Sequence, residues 1–164
     1  LYTLVGKEQS SLACAKQSLR MHREEMNKYE ASMSLFLLGV VYLRFGRLDN
    51  AFKTWREALQ IMIFVFGYDH AYVAMLLNNL GCLHYLKGDL VRSMQLFAES
   101  LDVNETLLSS FSNNSDATIL DISLTKGNIA MILARNGKFD ATLAILEEVM
   151  LLQECVNNER AERL

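Results

Sequence analysis

Leu35-Phe-Leu-Leu38-Gly39-Val-Val-Tyr42 is followed at fixed spacing by Gly46-Arg-Leu-Asp-Asn-Ala51, then by Trp55 and Ala58-Leu59, and this pattern returns twice. The second copy reads Leu77-Asn-Asn-Leu80-Gly81-Cys-Leu-His84, Gly88-Asp-Leu-Val-Arg-Ser93, Phe97 and Ser100-Leu101. The third reads Lys126-Gly-Asn-Ile129-Ala130-Met-Ile-Leu133, Gly137-Lys-Phe-Asp-Ala-Thr142, Leu146 and Val149-Met150. Within each copy the register holds without a gap.

Each element of the pattern has a physical reason. A small residue (Gly39, Gly81, Ala130) lets a partner helix come close, and the larger residue three positions on (Tyr42, His84, Leu133) fills the space beside it. Gly46, Gly88 and Gly137 suit a left-handed turn that ends one helix. Asp49, Asp89 and Asp140 stand near the start of the next, where a carboxylate suits the exposed amides. That second helix then puts Ala51, Trp55, Ala58 and Leu59 on one face. Trp55, Phe97 and Leu146 are accordingly expected to be equivalent and buried. One such helical pair cannot bury its apolar face alone, but stacked pairs can.

The pattern resembles the tetratricopeptide repeat over nearly the whole chain. Gly46 and Gly88 are 42 residues apart, longer than the common period of about 34. Gly67-Tyr-Asp-His70, leading into Leu77-Asn-Asn-Leu80, is similar to the repeat boundary of kinesin light chains and related proteins. The resemblance implies an all-α, right-handed α-solenoid of stacked antiparallel helical hairpins. One array would span 1–164: a partial repeat at 1–29, repeats at 30–69, 70–109 and 118–158, and a polar loop at 110–117. Helices are expected over about 8–26, 30–45, 49–65, 70–87, 90–109, 117–136 and 139–157. Tyr2 precedes Gly6 as Tyr42 precedes Gly46, so the chain is expected to begin inside a first helix that turns at Gly6, as part of a longer protein. The pattern also departs from the family: proline is absent, and Ser93, Ser100 and Thr142 replace alanines.

Composition agrees and excludes several classes. The 164 residues are 51% hydrophobic and 21% charged, as in a globular protein. The net charge of −3 is spread along the chain, without the basic cluster that nucleic acid requires. The longest apolar runs, Leu35 to Leu43 and Leu59 to Phe66, are far short of a membrane span. Cys14, Cys82 and Cys155 are odd in number and far apart, which suits a reducing, cytoplasmic setting with thiols as small apolar groups. There the acceptor-like Asn104-Glu-Thr106 and Asn113-Asn-Ser115 carry no meaning.

Catalytic and metal motifs are missing: no His-Glu-x-x-His, Cys-x-x-Cys, Glu-x-x-His, phosphate-binding glycine loop or Gly-x-Ser-x-Gly. His84 takes the place of a packing tyrosine, His70 belongs to a turn and cap, and His22 lies in a charged stretch read as a solvated face. No enzyme activity, cofactor or metal is expected.

In tetratricopeptide arrays the first helices line a concave groove that takes an extended peptide. Carried over by register, the resemblance implies Phe36 and Arg44 from one helix, Met75, Asn78, Asn79 and Tyr85 from the next, and Asn128 and Arg135 from the third. Asn79 and Asn128 share a register; they either hold a peptide's backbone or cap or bridge neighbouring helices. The carboxylate clamp of chaperone-binding cochaperones is not rebuilt, since its registers hold Phe36, Val40, Leu124 and Asn128. The run Ile61, Met62, Ile63, Phe64 continues apolar to Phe66, and is either buried or a surface for self-association or an intramolecular contact. The expected function is a protein-interaction scaffold or adaptor; the alternative is a structural or oligomerisation module.

Overall fold

The structure, a computed structural model, describes residues 2–110 and 116–162. The helices are α1 Tyr2–Glu24, α2 Lys28–Arg44, α3 Leu48–Phe66, α4 Ala71–Leu86, α5 Leu90–Ser110, α6 Asp116–Arg135 and α7 Phe139–Glu162, with no strand among the described residues. Residues 111–115, most of the expected polar loop and including Asn113, lie outside the described residues.

Three of the turns are built alike. Gly46, Gly88 and Gly137 have φ of 71°, 82° and 71°, the left-handed region that a side chain resists. The residue after each glycine donates its N–H back to the preceding helix: Arg47 to Tyr42, Asp89 to His84 and Lys138 to Leu133, at 2.8–3.0 Å. Asp89 Oδ1 also accepts from the Arg92 N–H at 3.1 Å, tying down the start of α5. The Gly6 turn does not form. Gly6 lies within α1, which runs on unbroken, and the turn comes instead at Met26, whose φ of 55° completes the same hydrogen-bonding pattern, Asn27 N–H to His22 C=O. A glycine permits a left-handed turn but does not compel one, and Gly6 is helical here.

Contacts divide the chain into two compact units, 1–68 and 69–164. In the first, α2 packs on both α1 and α3. Trp55 is 1% exposed and donates Nε1–H to the Phe36 carbonyl at 3.0 Å. Its ring stacks on Phe36 and fills the space that a Cβ on Gly39 would need. Ser32 donates to the Ala58 carbonyl at 3.1 Å.

In the second unit α4 packs on α5, α5 on α6 and α6 on α7. Phe97, fully buried, lies on Gly81 as Trp55 does on Gly39. The serines that replace alanines in α5 are buried and paired: Ser93 donates to the Gly81 carbonyl and Ser100 to the Ala74 carbonyl, both at 2.8 Å. Ser100–Ala74 is the counterpart of Ala58–Ser32, with the hydroxyl moved to the other helix. Thr142 instead bonds locally, to the carbonyl of Lys138 just before α7.

Leu146 departs from expectation. It is 41% exposed, where Phe97 is fully buried. α5 is covered by α4 on one side and α6 on the other, whereas α7 is packed by α6, so the same register is closed over in one helix and open in the other.

The apolar end of α3 is divided. Met62 is buried, Ile61 and Ile63 are half-buried, and Phe64 is 73% exposed with Lys28 Nζ 4.0 Å above its ring. The thiols are not all apolar filler either, since Cys14 and Cys155 are exposed. α6 is long and apolar enough to cross a membrane, which the count of uninterrupted apolar runs missed. It carries Asp121 and Lys126 in its middle and packs on both α5 and α7.

Candidate functional site

One register on the first helices stays uncovered. In α2 it is Met33, Leu37, Val40 and Arg44; in α4, Met75, Asn79, Cys82 and Leu86; in α6, Leu124, Asn128, Met131 and Arg135. The spacing of four, three and four residues keeps each set on one line of its helix, and none of the twelve is buried. Met33, Met75, Asn79, Cys82 and Asn128 are half-buried and the rest exposed. α4 and α6 are neighbours within the second unit, and Arg135 reaches across to Tyr85, its guanidinium 5.3 Å from the ring centre.

The asparagines differ in what they do. Asn128 donates Nδ2–H to Asn78 Oδ1 at 2.9 Å and lies 3.7 Å from Cys82 Sγ. Asn78 is buried, so this pair joins α6 to α4 and Asn78 is closed to a ligand. Asn79 is half-buried and makes no hydrogen bond with any described residue. Its register in α2 holds Leu37, so the carboxamides are confined to α4 and α6. Phe36 is taken up by Trp55; the apolar side chains open on α2 are Leu37 and Val40. Bridging of neighbouring helices was one of the two readings of Asn128, but its partner Asn78, 50 residues away, had no signal in the sequence.

Burial pushes the Cys82 thiol up, keeping it protonated and unreactive. Asp121 is raised by burial, and His70 is lowered by it. His70 Nδ1 caps α4 by accepting the Tyr72 N–H at 3.2 Å. His84 Nδ1 is 3.0 Å from Asp89 Oδ2. Asp89 is held below the usual carboxylate range, first by the Arg92 N–H and then by His84. His22 is not simply solvated: its Nδ1 faces the Ser34 hydroxyl at 3.4 Å, which in turn pairs with Ser18 at 2.9 Å. Ser34 is 3% exposed, too deep to attack a substrate. Among the described residues no three His, Cys, Asp or Glu side chains converge as metal ligands. Asn104, in the glycosylation-like triplet, is buried and closed to modification in the folded chain.

Residues 29–106 match the family model of the tetratricopeptide repeat. No curated protein matches the chain. Among solved structures, BtubC (BKLC) from P. vanneervenii is similar at a TM-score of 0.79 and 20% identity, covering 93% of this chain and 59% of that one. This chain thus spans little more than half the length of that relative. Nearly identical TPR-like repeats of a protein taken as a kinesin light chain, from Podosopora anserina, align at a TM-score of 0.60 and 13% identity, covering 93% of this chain and 90% of theirs. A point variant of the same repeats aligns alike, at 12% identity. The chain is therefore an all-α solenoid of helical hairpins, similar in fold to tetratricopeptide-like repeats, and its residues 29–106 match the tetratricopeptide repeat family.

Proposed function

We propose that this chain is an adaptor that holds an extended segment of another protein against the open line of α4 and α6, the first helices of its second unit. Tetratricopeptide repeats are in general protein-interaction scaffolds. The observation that carries the reading to this face is the uncovered register, which is open on both α4 and α6 within the second unit. On α4 and α6 it combines apolar side chains (Met75, Leu86, Leu124, Met131) with the unengaged carboxamide of Asn79 and the cation of Arg135. Flexible methionines adapt to varied apolar side chains, while a carboxamide offers a peptide backbone both a donor and an acceptor. The reading assigns the chain no catalytic step, and the proposed setting is cytoplasmic.

The test is panning of a displayed library of extended peptides on the chain, followed by affinity measurements on the recovered sequences. Asn79→Ala is expected to weaken them about tenfold, the loss of one hydrogen bond of roughly 1.4 kcal/mol, with an unchanged melting temperature. Recovered peptides that bind Asn79→Ala and Met131→Ser as tightly as the parent would refute the assignment.

A further inference from the structure

The face shared by α4 and α6 is charged at its two ends and neutral between them. α4 holds no Asp, Glu, Lys or Arg, so the charge is carried by α6 and by the residues that flank α4. Asp121, Asn128 and Arg135 are seven residues apart, about two turns of helix each, and so lie on one line of α6. Asn128 bonds Asn78 and Arg135 reaches Tyr85, so this line faces α4 and the two helices run parallel. Asp121 is then level with the start of α4, where Asp69 also stands. Arg135 is level with its end, where Lys87 stands.

Neither end of the line is neutralised inside the fold. The Asp121 carboxylate is half-buried and makes no hydrogen bond or ion pair with any described residue. Burial, with no cation to oppose it, lifts its pKa. Arg135 is exposed, lies over the Tyr85 ring, and makes no hydrogen bond or ion pair with any described residue. Other charges nearby are engaged: Lys126 by Glu148 of α7, and Asp89 by His84 and the Arg92 N–H. A half-buried carboxylate without a counter-ion gains more from a cation brought by a ligand than an exposed one does, because less water competes for it.

We propose, resting on the reading that α4 and α6 hold a peptide, that this face selects a bipolar segment of a partner protein. Such a segment carries a lysine or arginine, an aspartate or glutamate about six residues away, and apolar side chains between them. The basic residue lies at Asp121 and the acidic one at Arg135. From Asp121 to Arg135 the helix advances about 21 Å, and an extended chain covers that span in about six residues. Alternate side chains of an extended chain share a face, so apolar residues two and four places on from the basic one meet Leu124 and Met131. A segment with the same sign at both ends sets one like charge against this face, which disfavours it.

The test uses synthetic peptides of about seven residues, blocked at both termini, with leucine at the third and fifth positions. They differ only in their end residues: lysine and glutamate, lysine and glutamine, glutamine and glutamate, or glutamine twice. Fluorescence anisotropy on the full chain should show the lysine–glutamate peptide bound about tenfold tighter than the neutral one, about threefold from each charge. The gain should shrink at high salt. Asp121→Asn should erase the gain from lysine alone, and Arg135→Gln the gain from glutamate alone. Arg135→Glu should turn the preference to a peptide with lysine at both ends. All three variants should melt like the parent, since none loses a hydrogen bond or ion pair to a described residue. Equal binding of the peptides that Asn79→Ala still weakens would overturn the charge pattern and leave the peptide face standing. Binding that Asn79→Ala leaves untouched would overturn both. A lysine gain that survives Asp121→Asn, or no measurable binding of the lysine–glutamate peptide, would overturn the charge pattern as well.

Discussion

The Trp55 indole lies across Gly39 so closely that a Cβ there would sit 2.8 Å from Cε2 and nearer still to Nε1 and Cδ1. The ring cannot retreat, because Nε1 is bonded to the Phe36 carbonyl at 3.0 Å. Gly39→Ala should therefore cost about 1–3 kcal/mol by overpacking, more than the ~1 kcal/mol that alanine gains in a helix. Gly127 has nothing within 4 Å of where its Cβ would be, so Gly127→Ala should instead stabilise by up to ~1 kcal/mol. Urea unfolding of the two variants should shift the midpoint in opposite directions.

Two asparagines in the same register should part company on mutation. Asn128→Ala leaves Asn78 Oδ1 buried without its donor and should cost about 1–3 kcal/mol. Asn79→Ala removes a carboxamide that bonds nothing and should leave the melting temperature within a degree or so of the parent's, on the order of a surface change. Equal melting curves for the two variants would mean the bridge is not formed in solution.

Acid should loosen the start of α4. His70 caps that helix through an unprotonated Nδ1, and burial lowers its pKa below the ordinary 6.5. A lowered folded pKa means that the unfolded chain binds the proton more readily. The contribution is thus fully present above about pH 6.5 and is lost as pH falls through the folded value. His70→Asn keeps a capping side chain without a titrating one. Between pH 7 and pH 5 the parent should lose more thermal stability than this variant; parallel losses would remove His70 from the account.

Met26 holds a left-handed turn that its three counterparts give to glycine, and its side chain is 85% exposed. Met26→Gly relieves the strain of that conformation, roughly 1–2 kcal/mol, offset in part by the greater freedom of glycine in the unfolded chain. A net gain of up to about 1 kcal/mol is expected in chemical denaturation.

The fold was readable where it rests on local chemistry. Glycines at 46, 88 and 137 and the apolar spacing placed α2 to α6 to within two residues at each end, and the start of α7, and Gly39 opposite Trp55 and Gly81 opposite Phe97 follow from the same pattern. Gly6 misled because a glycine permits a turn but does not compel one; α1 runs straight through it. Leu146 misled because burial depends on a neighbour, which the register of α7 alone does not supply. At the candidate site the line of first-helix positions was readable, since equivalent registers project alike. Which asparagine is engaged was not, because the reach of Asn128 to Asn78 depends on how far α6 is offset against α4.

The central claim, that the open line of α4 and α6 takes a peptide, is tested most directly by photo-crosslinking. A benzophenone amino acid placed in turn at Leu124, at Met131 and at Ala98, which is exposed on α5, would be irradiated with a peptide recovered from the panning. The account predicts crosslinks from 124 and 131 and none from 98, with competition by unlabelled peptide. Crosslinks from 98 alone, or from a probe at Leu143 on α7 in their place, would contradict it.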